Sequence, residues 1–485
     1  MKIETERFVE KAKEGLANES QREVLSRLPV LFKGLRDYAM STLPDARAAL
    51  DTGAAIRTNA IARMPELLAQ FEENITKNGV TVLWAEDYDD AKEIVLKLAK
   101  ERGVNMITKG KSMLTEEMGL NAELIASGID TFETDLGEFI VQQAKRTPFH
   151  IVGPAVNITT DEIADLFVKV MGVERTMDLN ELTMQARDFL RHKFLSAQMG
   201  ITGVNMAVAE TGTIVLVENE GNIRYSTSAP KTHVAVMGIE KVVPTMNDAL
   251  HMLRLLTRSC TGQAISSYIS LINGPKRPDD IDGPEEVFLV IVDGGRSKIY
   301  ADPEFREVLQ CIKCGSCLNS CPVWTKVGGY AYGWVYSGPI GAVLNPLLVG
   351  EDRAKDLYFA TSLCGTCKSV CPAGIDHPKL LLKHRERRAF GDKTFGGKKP
   401  PLTERLIMSI WSWGLKGNGR YRLGSRLFRL AIKPFVSNGK LTRLPEPGRG
   451  FTEVRDLPEP PSKTFRDHWR DAVERKTDGE ERSTT

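Results

Sequence analysis

An α/β domain, then an α-helical ferredoxin-type domain with two iron–sulfur clusters, then a basic C-terminal extension is the fold class that this sequence predicts. Three observations predict it. Short apolar strands alternate with amphipathic helices between Val80 and Val292, two cysteine runs each close on Cys-Pro, and residues 398–443 carry eleven Lys/Arg against one acid, Glu404. The boundaries drawn from these are a helical N-terminal arm at 1–78, an α/β domain at 79–300, a ferredoxin-type domain at 301–385, and a basic helical extension with a flexible tail at 386–485.

The first 78 residues read as helices, with periodic apolar positions at Val24, Leu28, Leu31 and Leu35, and again at Ile61, Met64, Leu67, Leu68 and Phe71. From Val80 the period shortens. Strands are expected at Val80–Ala85, Asn105–Thr108, His150–Ala155, near Ala207, and at Ile214–Val217, Val234–Met237 and Val287–Val292. Helices are expected at Ala91–Lys100, after Thr115, and near Asp161–Met171 and Asn180–Gln198. Such alternation argues for a parallel sheet.

Nucleotide motifs fail here. Gly110-Lys111-Ser112 resembles the end of a P-loop, but Asn105 stands where that motif needs its first glycine, and no G-x-G-x-x-G follows a strand. Polar residues at strand ends remain: Lys109, Lys111 and Ser112, the Glu133–Glu138 turn, and Glu210-Thr211-Gly212-Thr213. They could gather an anionic small molecule at the carboxyl edge of the sheet, but ordinary caps and turns account for them better, and His233 reads as a structural histidine.

Cys311, Cys314, Cys317 and Cys321 follow the order C-x2-C-x2-C-x3-C, with Pro322 behind, and Cys364, Cys367 and Cys371 repeat its last three positions before Pro372. Three thiolates two residues apart wrap one cubane, while the fourth, before proline, turns toward a second. Crossed in this way, Cys311, Cys314, Cys317 and Cys371 hold one [4Fe-4S] cluster, and Cys321, Cys364 and Cys367 hold another. Thr361 occupies the place of the missing eighth cysteine. The fourth ligand of the second cluster is therefore open among a hydroxyl, a water, Cys260, or none in a [3Fe-4S] form. Zinc would need neither the third cysteine nor the two Cys-Pro closures. A disulfide framework does not suit 485 residues whose N-terminus is acidic and amphipathic, so reduced thiols and a cytoplasmic location are expected.

The aromatic, glycine-rich segment Gly328–Pro339 and the helical Ile340–Leu348 make the insert between the cysteine runs longer than in a compact bacterial ferredoxin, which suits helices around the cluster loops. In the basic region Leu402, Leu406, Ile407 and Ile410 fit one helical face, favouring a docking surface for a partner protein or an anionic membrane over nucleic acid. The chain from Pro445 reads as an extended tail. A 42% hydrophobic share and 65 basic against 63 acidic residues describe a chain with ample core, and its longest apolar run is of strand length, so membrane contact would be peripheral.

The segments CIKCGSCLNSCPVW, VYSGPIGAVLNPLL and SLCGTCKSVCPAGIDHPKLL, with Thr108–Met113, Glu133–Glu138 and Ala209–Thr213, resemble the lactate utilization protein B family over nearly the whole chain. That resemblance implies a domain similar in fold to the CoA-transferase and ribose-phosphate isomerase group, fused to two cluster motifs whose ligands fall on the seven cysteines. It implies an electron-transfer subunit, rather than a self-sufficient enzyme, working with sister subunits of a cytoplasmic system that oxidises L-lactate to pyruvate. It assigns no catalytic residue. Another 2-hydroxy acid such as glycolate, or a redox-sensing binding protein, are the alternatives.

Overall fold

The computed structural model describes residues 2–446 and 448–482. They form two compact units, Met1–Lys399 and Pro400–Thr485.

Six strands form one wholly parallel sheet in the first unit: β1 (Thr81–Ala85), β2 (Met106–Lys109), β3 (Asp130–Glu133), β4 (Met199–Gly203), β7 (Thr232–Gly238) and β10 (Glu286–Val292), ordered β1-β10-β7-β4-β2-β3. Register runs Ala85 to Val292, Leu289 to Ala235, and Ile201 to Val234. Alternate residues of β7 and β10 face opposite cores. Val234, Val236, Val290 and Val292 pack with Val95, Leu98 and Leu124, while Ala235, Met237, Leu289 and Ile291 pack with Phe71, Ile214 and Phe305. Burial on both faces is what a parallel sheet requires and explains why these strands are nearly continuous apolar runs. A second sheet, β8-β5-β6-β9, contains the hairpin of β5 (Met206–Val208) and β6 (Thr213–Glu218), flanked by β8 (Val242–Val243) and β9 (Tyr268–Ile272).

The structure departs from the sequence reading at identifiable residues. Strand β4 sits mid-sheet although its sequence, Met-Gly-Ile-Thr-Gly, contains two glycines; a Cβ on Gly200 would lie 1.6 Å from the Ser226 carbonyl oxygen, so only glycine admits that close crossing. The strand expected at His150–Ala155 does not form. His150 Nδ1 accepts the amides of Val152 (3.0 Å) and Gly153 (3.2 Å), diverting them from any ladder into a turn.

The N-terminal arm is helical (Phe8–Ala17, Glu19–Ser41, Ala46–Ala62, Met64–Lys77), but the second helix buries another stripe than expected. Leu31 and Leu35 are exposed, while Gln21, Leu25, Pro29, Arg36 and Ala39 point inward. Gln21 Nε2 donates to the Val327 carbonyl (3.1 Å) and Arg36 Nη2 to that of Val370 (3.1 Å), so polar anchors set the helix's rotation. The next helix sends the fully buried Arg57 to the carbonyls of Glu240, Val242, Leu309 and Gln310. The arm thereby straps the run-up to Cys311 onto the α/β sheet.

Past Cys321 the buried helix Gly338–Val349 and the helix His377–Phe390 surround the cysteine loops. The second unit contains helices Leu402–Leu415 and Asn418–Ile432 and a three-stranded sheet of β11 (Val436–Ser437), β12 (Lys440–Leu441) and β13 (Leu457–Pro458). No side chain of Leu402–Leu415 is buried. Where the sequence suggests a flexible tail, Phe465–Arg482 is helical, started by a Thr464–Asp467 capping pair (amide of Asp467 to Thr464 Oγ1, 3.3 Å; amide of Thr464 to Asp467 Oδ2, 3.0 Å). Residues 483–485 of that tail lie outside the described residues. Among the described residues no helix is long and apolar enough to cross a membrane.

Candidate metal centre

The two cysteine runs fold as copies of one loop. Each is entered from a 3-10 turn, Arg306–Gln310 or Leu357–Phe359, and leaves through a single helical turn, Ser316–Asn319 or Thr366–Ser369. Lys313 (φ 60°) and Leu363 (φ 54°) precede Cys314 and Cys364 in the left-handed region, and Gly315 (φ 76°) and Gly365 (φ 81°) follow there. Only four non-glycine residues among those described have positive φ, and two of them occupy this equivalent place. Strain repeated at matching positions marks a loop shaped for what it wraps.

This winding turns backbone amides toward sulfur. Lys313 N lies 3.4 Å from Cys311 Sγ and Trp324 N lies 3.5 Å from Cys321 Sγ, while amides of Ser316 and of Ala373–Ile375 face Cys314 and Cys371. Such donors stabilise thiolate and cluster charge. All seven thiols are free of disulfides.

The structure brings the two cysteine runs together. Cys314 and Cys317 lie beside Cys311 and Cys371 in a first group, Cys321 lies beside Cys364 and Cys367 in a second, and Cys317 also neighbours Cys367, so the two groups adjoin. The second group shares its cleft with Thr361 and Ser362. Burial pushes the thiols of Cys314 and Cys317 well up, Cys367 to about 12 and Cys371 to about 11, whereas the Thr366 hydroxyl holds the exposed Cys364 below its usual value. Buried thiols of this kind ionise only with a cation to bind. Among the described residues no three His, Cys, Asp or Glu side chains converge tightly enough for a single metal ion. Free thiols gathered from two loops of one winding and faced by inward amides suit iron–sulfur chemistry.

Cys260 stands elsewhere than a fourth ligand of the second group would. It neighbours Cys314 and lines a different cavity, burial pushes its thiol up to about 11, and the carbonyl of Ser259 before it accepts from Ser316 Oγ at 2.8 Å. The Thr361 hydroxyl, by contrast, is in the second group's cleft and accepts the Leu363 amide at 3.0 Å.

Around the first group, His150 is a residue the sequence reading missed as a support. Its Nε2 meets Asn319 Oδ1 at 3.2 Å, its ring stacks on Phe32 (5.9 Å, 15°) and meets the edge of Trp324 (5.2 Å), and burial pushes its pKa down to about 3. The imidazole is neutral, with Nδ1 the acceptor.

A cavity of about 320 Å³ opens at the carboxyl edge of the parallel sheet and reaches Ile312 and Lys313 in the first cysteine loop. Of the polar residues read from sequence, Lys111, Ser112 and Asp135 line it. Lys109 does not; it is buried in an ion-pair group with Glu133 (2.7 Å) and Glu116 (3.5 Å). Glu210–Thr213 forms a turn whose carbonyls accept from Asn74 and Asn78, and His233 is buried against the Thr202 hydroxyl (2.8 Å), its pKa pushed down to about 4 by burial. The missed residues are Lys241, Lys313, Arg296, Glu117, Glu240 and Tyr336. Arg296 pairs with Glu117 and Glu240, each at 2.8 Å, and the Tyr336 hydroxyl donates to Glu117. One signal was available: Glu240 and Lys241 lie just past a strand, where a parallel sheet presents ligands.

Three family descriptions match the chain: LUD domain over residues 68–292, 4Fe-4S dicluster domain over 307–375, and Lactate utilisation protein B, C-terminal, over 383–473. A lactate utilization protein B of Bacillus licheniformis is 41% identical over 99% of this chain and 100% of its own length. Those of Geobacillus thermodenitrificans (41%, 97% and 98%) and Bacillus subtilis (40%, 97% and 97%) are similar to the same extent.

Proposed function

The chain belongs to the lactate utilization protein B family, and from that premise we propose that it is the iron–sulfur electron-transfer component of a cytoplasmic complex oxidising L-lactate to pyruvate. The observation that supports this reading is the gathering of seven free cysteines, faced by backbone amides, from two loops of one winding. Cys311, Cys314, Cys317 and Cys371 are the ligands of one cluster. Cys321, Cys364 and Cys367 are those of the other, with the Thr361 hydroxyl or a water completing a [4Fe-4S] cluster, or no fourth ligand in a [3Fe-4S] form.

Bound clusters supply one-electron transfer. Lactate oxidation releases two electrons and two protons, so the bond-breaking chemistry needs a proton acceptor and a two-electron step that sister subunits would provide. This chain's own residues hold the thiolates, exclude water from the first group through Trp324, His150 and Phe32, and leave Cys364 open to solvent for exchange. The basic unit, with Leu406, Ile410 and Trp413 exposed among its cations, would dock a partner protein or an anionic membrane.

Anaerobic iron and sulfide analysis with EPR tests the reading. About eight irons with two interacting reduced signals, or about seven with an oxidised [3Fe-4S] signal, are expected. Lactate-dependent dye reduction should need added sister subunits. Zinc without sulfide would overturn the reading.

A further inference from the structure

The carboxylates on the cavity wall are already engaged. Glu117 and Glu240 hold Arg296 (2.8 Å each), Glu218 accepts the amides of Ile223 (2.6 Å) and Arg224 (2.9 Å), Asp135 accepts that of Glu138 (3.0 Å), and Glu220 that of Leu136 (3.1 Å). Two cations at the end nearest the cysteine loop are held less closely. Lys241 and Lys313 lie close enough to repel each other, the Glu240 carboxylate acts on both of them from a distance, and the Lys313 ammonium rests 4.1 Å above the Tyr336 ring. Neither has an acceptor within hydrogen-bond or salt-bridge reach among the described residues, and an ammonium brings three donors, so this end of the cavity presents donors with no acceptor in contact.

The cavity also has an apolar lining, from Leu216, Ile223, Val236 and Leu256. At about 320 Å³ the space is at the small end of ligand pockets. We propose that this cavity binds a small 2-hydroxy or 2-oxo carboxylate, its carboxylate on Lys241 and Lys313 and its alkyl end on the apolar wall, against the loop that carries Cys311 and Cys314. The choice of carboxylate rests on the lactate-utilisation reading; the unfilled donors do not. Lys313, two residues from Cys311 and one from Cys314, makes the ligand's charge a neighbour of the first cysteine group.

The test uses the anaerobic, cluster-loaded full chain titrated calorimetrically with L-lactate, pyruvate and inorganic phosphate. Lactate or pyruvate should bind, phosphate should bind at least about tenfold more weakly, and Lys241→Gln should weaken carboxylate binding by at least about tenfold with iron content and EPR unchanged. Because Lys241→Gln could disturb the neighbouring loop, Leu256→Phe, which fills the apolar wall, should reduce binding independently. ¹³C-labelled pyruvate should relax faster with the chain reduced than oxidised, since the site adjoins the cluster loop. Absence of carboxylate binding, phosphate binding as tightly as pyruvate, or relaxation indifferent to redox state would each overturn the proposal. Reduction of a chain that binds no carboxylate by sister subunits plus lactate would leave the electron-carrier reading standing and remove this one. Carboxylate binding by a chain those subunits never reduce would do the reverse.

Discussion

The two cysteine loops share a backbone and differ in everything around it. Both set a left-handed residue before and a left-handed glycine after the second cysteine of the frame. Yet Cys314 and Cys317 are buried under the arm helix, His150 and Trp324, whereas Cys364 is exposed and Leu363 beside it is 37% exposed. Local sequence thus dictates how thiolates are presented, and tertiary surroundings dictate access, dielectric and hence redox behaviour. A loop with buried thiols beside a cavity and a loop with one exposed thiol would suit the two ends of the electron relay proposed above.

Ligand removal should separate the loops most. Cys317→Ser and Cys364→Ser should each lose about half the iron. Cys317→Ser should also destabilise the chain by about 3–5 kcal/mol, because its loop is embedded in the main core, while Cys364→Ser should melt close to the parent. Equal melting temperatures at equal iron loss would break the comparison. Thr361→Cys should erase the other asymmetry. It places a thiol where Cys311 stands in the first loop, within the cleft of Cys321, Cys364 and Cys367. Iron should rise toward about eight and any oxidised [3Fe-4S] EPR signal should vanish; an unchanged spectrum would place the fourth ligand elsewhere.

Sequence carried the loops because their chemistry is local: the spacing and Cys-Pro closures are enough to define two chelating runs. The parallel sheet was legible for a similar reason, through the apolar runs of β7 and β10. What was lost depended on partners far along the chain. Gln21, Arg36 and Arg57 set the arm's rotation through carbonyls 183 to 334 residues away. Lys241 meets Lys313 only once strand and cysteine loop are folded together. The helix Phe465–Arg482 was a different kind of miss, since its Thr464-x-x-Asp467 start was written in the sequence and outweighed there by polar composition.

Glycine substitutions measure the surroundings at a fixed backbone. Gly315→Ala and Gly365→Ala both place a side chain at positive φ, costing about 1 kcal/mol each. A Cβ at Gly315 also meets Val152 Cγ2 at 3.2 Å and His150 Cε1 at 3.3 Å, whereas nothing lies within 4 Å at Gly365. Urea unfolding should therefore find Gly315→Ala the worse by about 1 kcal/mol, and equal losses would mean that the first loop yields as freely as the second.

Mild acid should show the smallest difference, because each loop has a buried neutral histidine nearby. His150 beside the first is pushed down to about 3, and His377 after the second to about 4, both by burial. Unfolding releases each to its ordinary value near 6.5, so between that pH and the folded value the unfolded chain binds the extra proton. Their contribution is complete above about pH 6.5 and is lost as pH falls, by at most about 1.4 kcal/mol per pH unit for each. His150→Gln and His377→Gln should each flatten the fall of the melting temperature from pH 7 to pH 5 by a similar amount. If only His150→Gln flattens it, acid sensitivity belongs to the buried loop alone, and the comparison between the loops extends from access to proton linkage.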